Sequence, residues 1–346
     1  VADVALNDII EKAPVSWIIG DVLVIAHSKI NSPLYKNILV SISGGADSDI
    51  VLDICKQVDE SGKCKYIWFD TGLEYQATKD HLKQIEKKYG IKIEKHKAVK
   101  PIPVCCREYG QPFLSKQVSE WIERLQRHNF KWEDKPYEDL IKEYPKCKAA
   151  LKWWCNKWEK GKNGNESKFN IAYNKYLKEF MIENPPDFAI SNKCCYYAKK
   201  LVAKQAKQES ECDLNIVGIR KAEGGARATA YKSCFSSKDD EADEYRPIFF
   251  YRKEDKEKYE QHYGIKHSAC YTEYGPERTG CAGCPFGKNF EYELEVIRQH
   301  EPKLYKAVNK IFGKSYEYTR KYKAFVEKKN AEEKAQGQMT LADFGL

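Results

Sequence analysis

Two groups of residues in this chain are spaced as if for chemistry. The first is Ser-Gly-Gly-Ala-Asp-Ser at 43–48. Gly44 and Gly45 can take backbone angles closed to other residues, and they let a phosphate come close to the backbone. Ser43 and Ser48 add hydroxyl donors. Asp47 suits a phosphate site only if it also holds a metal ion or a ribose. Without a ligand, the same string reads as a βα turn capped by Ser or Asp. The second group is drawn from thirteen cysteines. Cys194 and Cys195 are adjacent, whereas Cys281 and Cys284 lie three apart in a Gly-rich loop. Two close pairs of thiolates can form a sulfur cage for zinc or for an iron–sulfur cluster. An adjacent pair is awkward for one tetrahedral ion because its side chains diverge, and a cluster with several irons tolerates it better. Ordinary buried cysteines are the alternative, and Cys55 and Cys64 read that way. Cys105 and Cys106 form a third pair with a weaker claim on metal.

These residues need elements to position them. Ile38 to Ile42 is a short β-branched run of the kind that makes a buried strand. Apolar residues at Ile50, Val51, Ile54 and Val58 then predict a helix. The glycine string therefore joins a strand to a helix N-terminus, where backbone N–H groups and the positive end of the helix dipole converge. Tyr66–Phe69 predicts a second strand, ending in Asp70-Thr71-Gly72. Ile91–His96 predicts a third, and Leu214–Arg220 a fourth that ends in Arg. Alternating strands and helices predict a parallel, doubly wound α/β sheet of about five strands with helices on both faces. Ligands of such sheets sit at the carboxyl ends of the strands, which places Asp70–Gly72 and Arg220 with the glycine string.

The expected organisation is a helical lead-in over 1–36, a nucleotide-binding half over 37–120 and a helical insertion over 121–183. The second half of the α/β domain, with the thiol pairs, follows over 184–290. C-terminal helices occupy 291–335 and a tail 336–346. In the insertion, aromatic and basic residues interleave, as at Trp132, Trp153, Trp154 and Trp158. They read either as a surface that stacks bases or as an aromatic core. In the tail, Gln338, Leu341 and Phe344 are spaced like a short peptide that docks into sliding clamps, or else pack on their own protein.

Charged residues make up 32% of the chain and the net charge is +8. This balance suits a polyanionic partner such as a nucleotide or nucleic acid. The N-terminus has no signal-peptide pattern and no run is apolar enough for a bilayer span. No membrane association and a cytoplasmic location are expected.

The string Ser43–Ser48 after a strand resembles the PP-loop of ATP pyrophosphatases and sulfonucleotide reductases. It is neither a Walker loop nor a Rossmann fingerprint. Many sulfonucleotide reductases carry Lys where this chain has Ala46, which leans toward the ATP-cleaving members. The resemblance to this phosphoadenylylsulfate-reductase-like superfamily extends to Asp70-Thr71-Gly72, to Pro112–Glu120 and to Gly218-Ile-Arg220 with its following Glu and Arg227. The cysteine pattern resembles that of iron–sulfur adenylylsulfate reductases and of the ATP pyrophosphatases of DNA phosphorothioation. The resemblance implies that Ser41, Ser43, Gly44, Gly45, Asp47 and Ser48 bind nucleotide, together with Asp70, Thr71, Gly72, Arg220 and Arg227. It implies catalytic roles for Asp47, Ser48 and Arg220. Cys194, Cys195, Cys281 and Cys284 would hold a 4Fe-4S cluster, with zinc as the alternative. ATP with Mg2+ would be the substrate, and its cleavage would activate an acceptor for sulfur transfer. The acceptor could be nucleic acid, with a protein as sulfur donor. A reductase of the family needs a mobile Cys near its C-terminus, and no Cys follows Cys284. Cys234 or Cys270 would have to stand in. Two other expectations therefore remain, a sulfonucleotide reductase that releases sulfite and a binding module that holds nucleotide without turnover.

Overall fold

The computed structural model describes residues 2–160, 164–224, 230–237, 241–276, 280–287 and 289–343, without side chains at 2–5 and 336–343. Helices α1 (Ala2–Glu11) and α2 (Trp17–Ile30) precede strand β1 (Ile38–Ser41) and helix α3 (Ala46–Val58). Strand β2 (Cys64–Asp70), helix α4 (Gln76–Tyr89) and strand β3 (Ile93–Lys97) follow. The chain then forms α5 (Ile102–Tyr109), α6 (Lys116–Arg127), α7 (Tyr137–Glu143), α8 (Lys148–Trp154) and α9 (Leu177–Glu183). After α10 (Leu201–Glu209) come β4 (Leu214–Val217), β5 (Phe235–Ser236) and β6 (Asp243–Tyr245). The last helices are α11 (Lys253–Tyr263), α12 (Ala269–Thr272), α13 (Phe290–His300) and α14 (Pro302–Asp343).

These elements fall into two compact units. One contains residues 1–101, 196–282 and 298–301; the other contains 102–195, 283–297 and 302–346.

The first unit is a six-stranded sheet in the order β3-β2-β1-β4-β6-β5. Neighbours from β3 through β6 run parallel, and the two-residue β5 alone runs antiparallel, against β6. The expected doubly wound α/β sheet is therefore present, with two short strands, β5 and β6, beyond the four that the apolar runs announced. Phe235-Ser236 is too short to stand out by hydrophobic pattern. Both faces of the sheet are covered. Ile38 and Val40 point into a core with Leu23 of α2 and Ile50 and Ile54 of α3, while Leu39 meets Ile67 and Ala206 of α10 on the other face. The strand order reverses between β2-β1 and β1-β4, so the switch point, where sheets of this kind hold ligands, falls at the carboxyl end of β1.

The second unit is helical. Its core gathers Phe113, Phe130, Trp153, Trp154, Phe180 and Tyr318, among others. Edge-to-face contacts join Phe130 to Trp132 and to Trp154, with ring centroids 5.6 and 5.4 Å apart. The Trp154 indole N–H donates to the Glu133 carbonyl, so this buried ring leaves no polar atom unsatisfied. Aromatic packing accounts for Trp132, Trp153 and Trp154, whose faces are not open for stacking bases. Phe169 and Tyr173 are the aromatics of the insertion that stay exposed.

Candidate active site

The glycine string is a tight turn between β1 and α3. Ile42 still donates to Ile67 O, which holds the turn's entry on the sheet. Gly44 has φ +69°, and a Cβ there would sit 2.7 Å from Thr78 Cγ2 of α4. No larger residue fits that approach. Gly45 is the N-cap of α3. The hydroxyl of Ser48 accepts from the amides of Ser43 and Gly45, both at 3.2 Å, and donates to Gly45 O at 2.7 Å. The hydroxyl of Ser43 lies 3.2 Å from that of Ser48. The two serines thus preform the turn through long, weak bonds to its amides. The amides of Gly44, Ala46 and Asp47 have no partner among the described residues and mark the helix's positive end.

Around this turn lies a chain of opposite charges. Asp47 Oδ2 is 2.9 Å from Arg220 Nε, and its Oδ1 is 3.3 Å from Lys256 Nζ of α11. Lys256 also pairs with Glu260 at 3.5 Å. The His267 ring bridges Glu260 and Asp49, at 2.8 Å to each. Asp49 Oδ2 is shared with His81 of α4 at 3.0 Å. Burial alone would lower the pKa of His267, but hydrogen bonds to Asp49 and Glu260 outweigh it and raise the value to about 9. His267 is therefore a cation at neutral pH and donates from both nitrogens. Sequence reading did not single out Asp49, His81, Lys256, Glu260 or His267 for this site. They come from α3, α4, α11 and the turn after it, and no local motif connects them.

Arg220 follows β4 because Gly218 allows that strand's end to press on α3. A Cβ on Gly218 would lie 3.1 Å from Asp47 O and 3.2 Å from Ser48 N. The Arg220 amide donates to the Glu223 carboxylate at 3.0 Å, which shapes the following turn. Arg227 lies outside the described residues. Ser41 spends its hydroxyl on Asn215 Oδ1 across the β1–β4 pair, at 3.4 Å.

The second loop is also ordered. Asp70 accepts from the Gly72 amide at 2.9 Å and pairs with Lys95 at 2.6 Å. Burial pushes its carboxyl up, but Lys95 and the amide win and hold it below the ordinary value. Thr71 donates to Glu74, and its hydroxyl is 4.0 Å from Cys281 Sγ. The N-terminus of α4 is capped by a distant carboxylate. The amides of Gln76 and Ala77 donate to Glu301 at 2.9 and 3.2 Å.

The thiols divide between the units. Cys281 belongs to the sheet unit, whereas Cys194, Cys195 and Cys284 belong to the helical one, with Cys105 and Cys106 of α5. All thirteen cysteines are thiols rather than disulfides. In the helical unit, Cys194 is buried and hydrogen-bonded to Cys106. That bond raises its pKa, the neighbouring Cys195 lowers it, and burial with the nearby charges of Cys106 and Cys284 raises it again. Glycine packing holds the knuckle before Cys284. Tyr316 of α14 donates to Gly283 O, and a Cβ on Gly283 would lie 2.7 Å from that hydroxyl. Among the described residues, no three His, Cys, Asp or Glu side chains converge at the distances of a single metal ion. The donor chemistry, the buried thiol of Cys194 with those of Cys106, Cys195 and Cys284 near it, is of the soft kind that a sulfur-liganded group takes.

Other expectations are resolved by burial. Cys270 is 1% exposed, lies 3.7 Å from the Thr78 hydroxyl, and has its pKa raised by burial. A thiol in that state is a poor nucleophile. In the tail, the backbone is helical through Asp343, so Gln338 and Leu341 continue α14. Their side chains, and Phe344 altogether, lie outside the described residues.

A doubly wound α/β sheet with a glycine turn at its switch point defines the fold class of this chain. Within that class, residues 37–179 match the model of the phosphoadenosine phosphosulfate reductase domain, which bears out the resemblance carried by Ser43–Ser48. The match starts at the residue before β1 and runs through β3 into the helical unit. A search of curated proteins finds no match. Similar solved structures include a phosphoadenylyl-sulfate reductase from Candida auris in a phosphate complex, at TM-score 0.40 and 11% identity, covering 75% of this chain and 86% of that one. Another is the U34-tRNA thiolase NcsA from Methanococcus maripaludis with its [4Fe-4S] cluster, at TM-score 0.37 and 12% identity, covering 90% of this chain and 80% of that one. Among the described residues, no helix is long and apolar enough to cross a membrane.

Proposed function

We propose that this chain binds an adenine nucleotide with Mg2+ on the turn 43–48 and adenylates an acceptor so that sulfur can replace oxygen there. The observation that carries the reading is the turn itself. Three amides without partners among the described residues, at Gly44, Ala46 and Asp47, sit at a helix N-terminus beside Arg220. An acceptor oxygen attacks the α-phosphorus of ATP, the bond to the β-phosphate bridging oxygen breaks, and pyrophosphate leaves. A sulfur nucleophile then forms its bond to the activated atom and AMP leaves. The chain's own contribution is positioning and charge neutralisation. Ser43 to Ser48 cradle phosphate, Arg220 neutralises it, and Asp47 helps place Mg2+. Asp70, Thr71 and Gly72 line the nucleotide, and nucleic acid is the acceptor class that the net charge favours. Cys194, Cys195, Cys281 and Cys284 are the residues that would hold a 4Fe-4S cluster, which when bound supplies a site for handling sulfur.

The test is product analysis. Protein purified without oxygen is given MgATP, bulk tRNA or duplex DNA, and sulfide. Release of pyrophosphate, lost in Asp47→Ala, is the expected result. Unchanged release in that variant would move the active site elsewhere. A second reading, reduction of a sulfonucleotide, is favoured by the domain model that matches 37–179. It predicts sulfite from adenylylsulfate or its 3′-phosphate with a dithiol reductant, and no pyrophosphate from ATP. Iron and zinc counts with an absorption spectrum test the thiol assignment, and a colourless protein with stoichiometric zinc would reject the cluster.

A further inference from the structure

Lys256 has no part in any motif, yet its ammonium ends at the glycine turn. It lies on α11, far along the chain from Asp47, and its side chain is only 19% exposed. Bringing a lysine's charge into such a place costs desolvation unless carboxylates compensate. Two do so, Asp47 at 3.3 Å and Glu260 at 3.5 Å. Glu260 is held in turn by the His267 cation, which is anchored on Asp49. The result is a fixed ammonium aimed at the second residue of α3. Arg220 approaches the same carboxylate from the other side, at 2.9 Å. One carboxylate thus restrains two cations beside amides that have no partner among the described residues. Asp47 Oδ1 is buried and makes no hydrogen bond, only the ion pair with Lys256, so that contact is the looser of the two.

We propose that Lys256 is a second phosphate-binding cation of this site, stored on Asp47 when no nucleotide is bound. This rests on the reading of the turn as a nucleotide site. When a polyphosphate settles on the turn, Lys256 and Arg220 exchange the carboxylate for phosphate oxygens. Asp47 is left without cations and turns to Mg2+. Glu260, His267 and Asp49 are positioning residues, because they aim the ammonium without touching the ligand. The exchange explains why an acidic residue stands where phosphate is expected.

The test is equilibrium binding of ATP by calorimetry, with and without Mg2+, on the full chain. Lys256→Met is expected to weaken MgATP binding by about tenfold or more, the usual worth of a lost charge-assisted contact. Lys256→Arg should restore most of it. Asp47→Asn releases both cations, so it should bind metal-free ATP more tightly than wild type, and Lys256→Met added to it should remove that gain. If wild type binds ATP and Ser48→Ala weakens it while Lys256→Met does not, the role of Lys256 is overturned and the nucleotide site stands. If wild type binds no adenine nucleotide at all, the reading of the turn itself fails. If Lys256→Met does not fold, Asp47→Asn decides alone. Metal-free affinity at or below wild type would overturn the exchange.

Discussion

The surroundings of the glycine turn in the sheet unit and the core of the helical unit bury opposite kinds of side chain. Beside its glycine turn, the sheet unit keeps an ion network, with Asp49 at 4% exposure and His267 bridging two carboxylates. The helical unit buries aromatic rings, with Trp153 and Trp154 wholly enclosed. Aromatic burial stabilises through area removed from water and through packing, and it asks little of its neighbours beyond shape. A buried ion network gains little net stability, because desolvation offsets the attraction. It persists where a charge must stand at a set place. The contrast separates a core held by packing from a cluster of charges held by pairing.

Three changes test that contrast. The largest effect is expected from Trp154→Ala, which should cost about 3–5 kcal/mol by leaving a cavity in a core without slack. Denaturant titration reads it, and a loss under about 1 kcal/mol would mean that the helical unit is not held by its aromatics. A middle effect belongs to His267. Its pKa is raised from 6.5 to about 9, so its contribution is complete below about pH 6.5 and fades as pH rises through about 9. The loss should reach about 2 kcal/mol once solvent screening is allowed for. A stability profile from pH 6 to pH 10 that is equally steep in His267→Gln would show that the ion network does not depend on this cation. The smallest change is Glu120→Gln, which breaks an exposed i,i+4 pair with Arg124. It should shift stability by no more than about 0.5 kcal/mol, vanishing in high salt. A larger effect would mean that surface charge also supports the helical unit.

Much of the sheet is legible in the order of residues alone, and the reason is locality. Ile38–Ile42, Tyr66–Phe69 and Leu214–Val217 are runs rich in aliphatic and aromatic residues, interrupted only by Ser41 and Asn215, because their strands are covered on both faces. The glycine turn is legible because Ser43, Gly45 and Ser48 bond one another within six residues, although the close approach at Gly44 comes from Thr78 of α4. The edge strand at Phe235-Ser236 is not, since two residues make no period. Nor is the aromatic core separable from a base-stacking surface, because alternating Trp and Lys serve either purpose until burial is known.

The sequence by itself determined the turn. Ser43, Gly45 and Ser48 bond one another within six residues, so their order specifies their arrangement. Only the tertiary structure decided what surrounds it. Arg220 reaches Asp47 across 173 residues of chain and His267 reaches Asp49 across 218. Such pairs leave no spacing rule in the sequence, because ion pairs between elements depend on how strands and helices pack and not on how far apart they are in the chain.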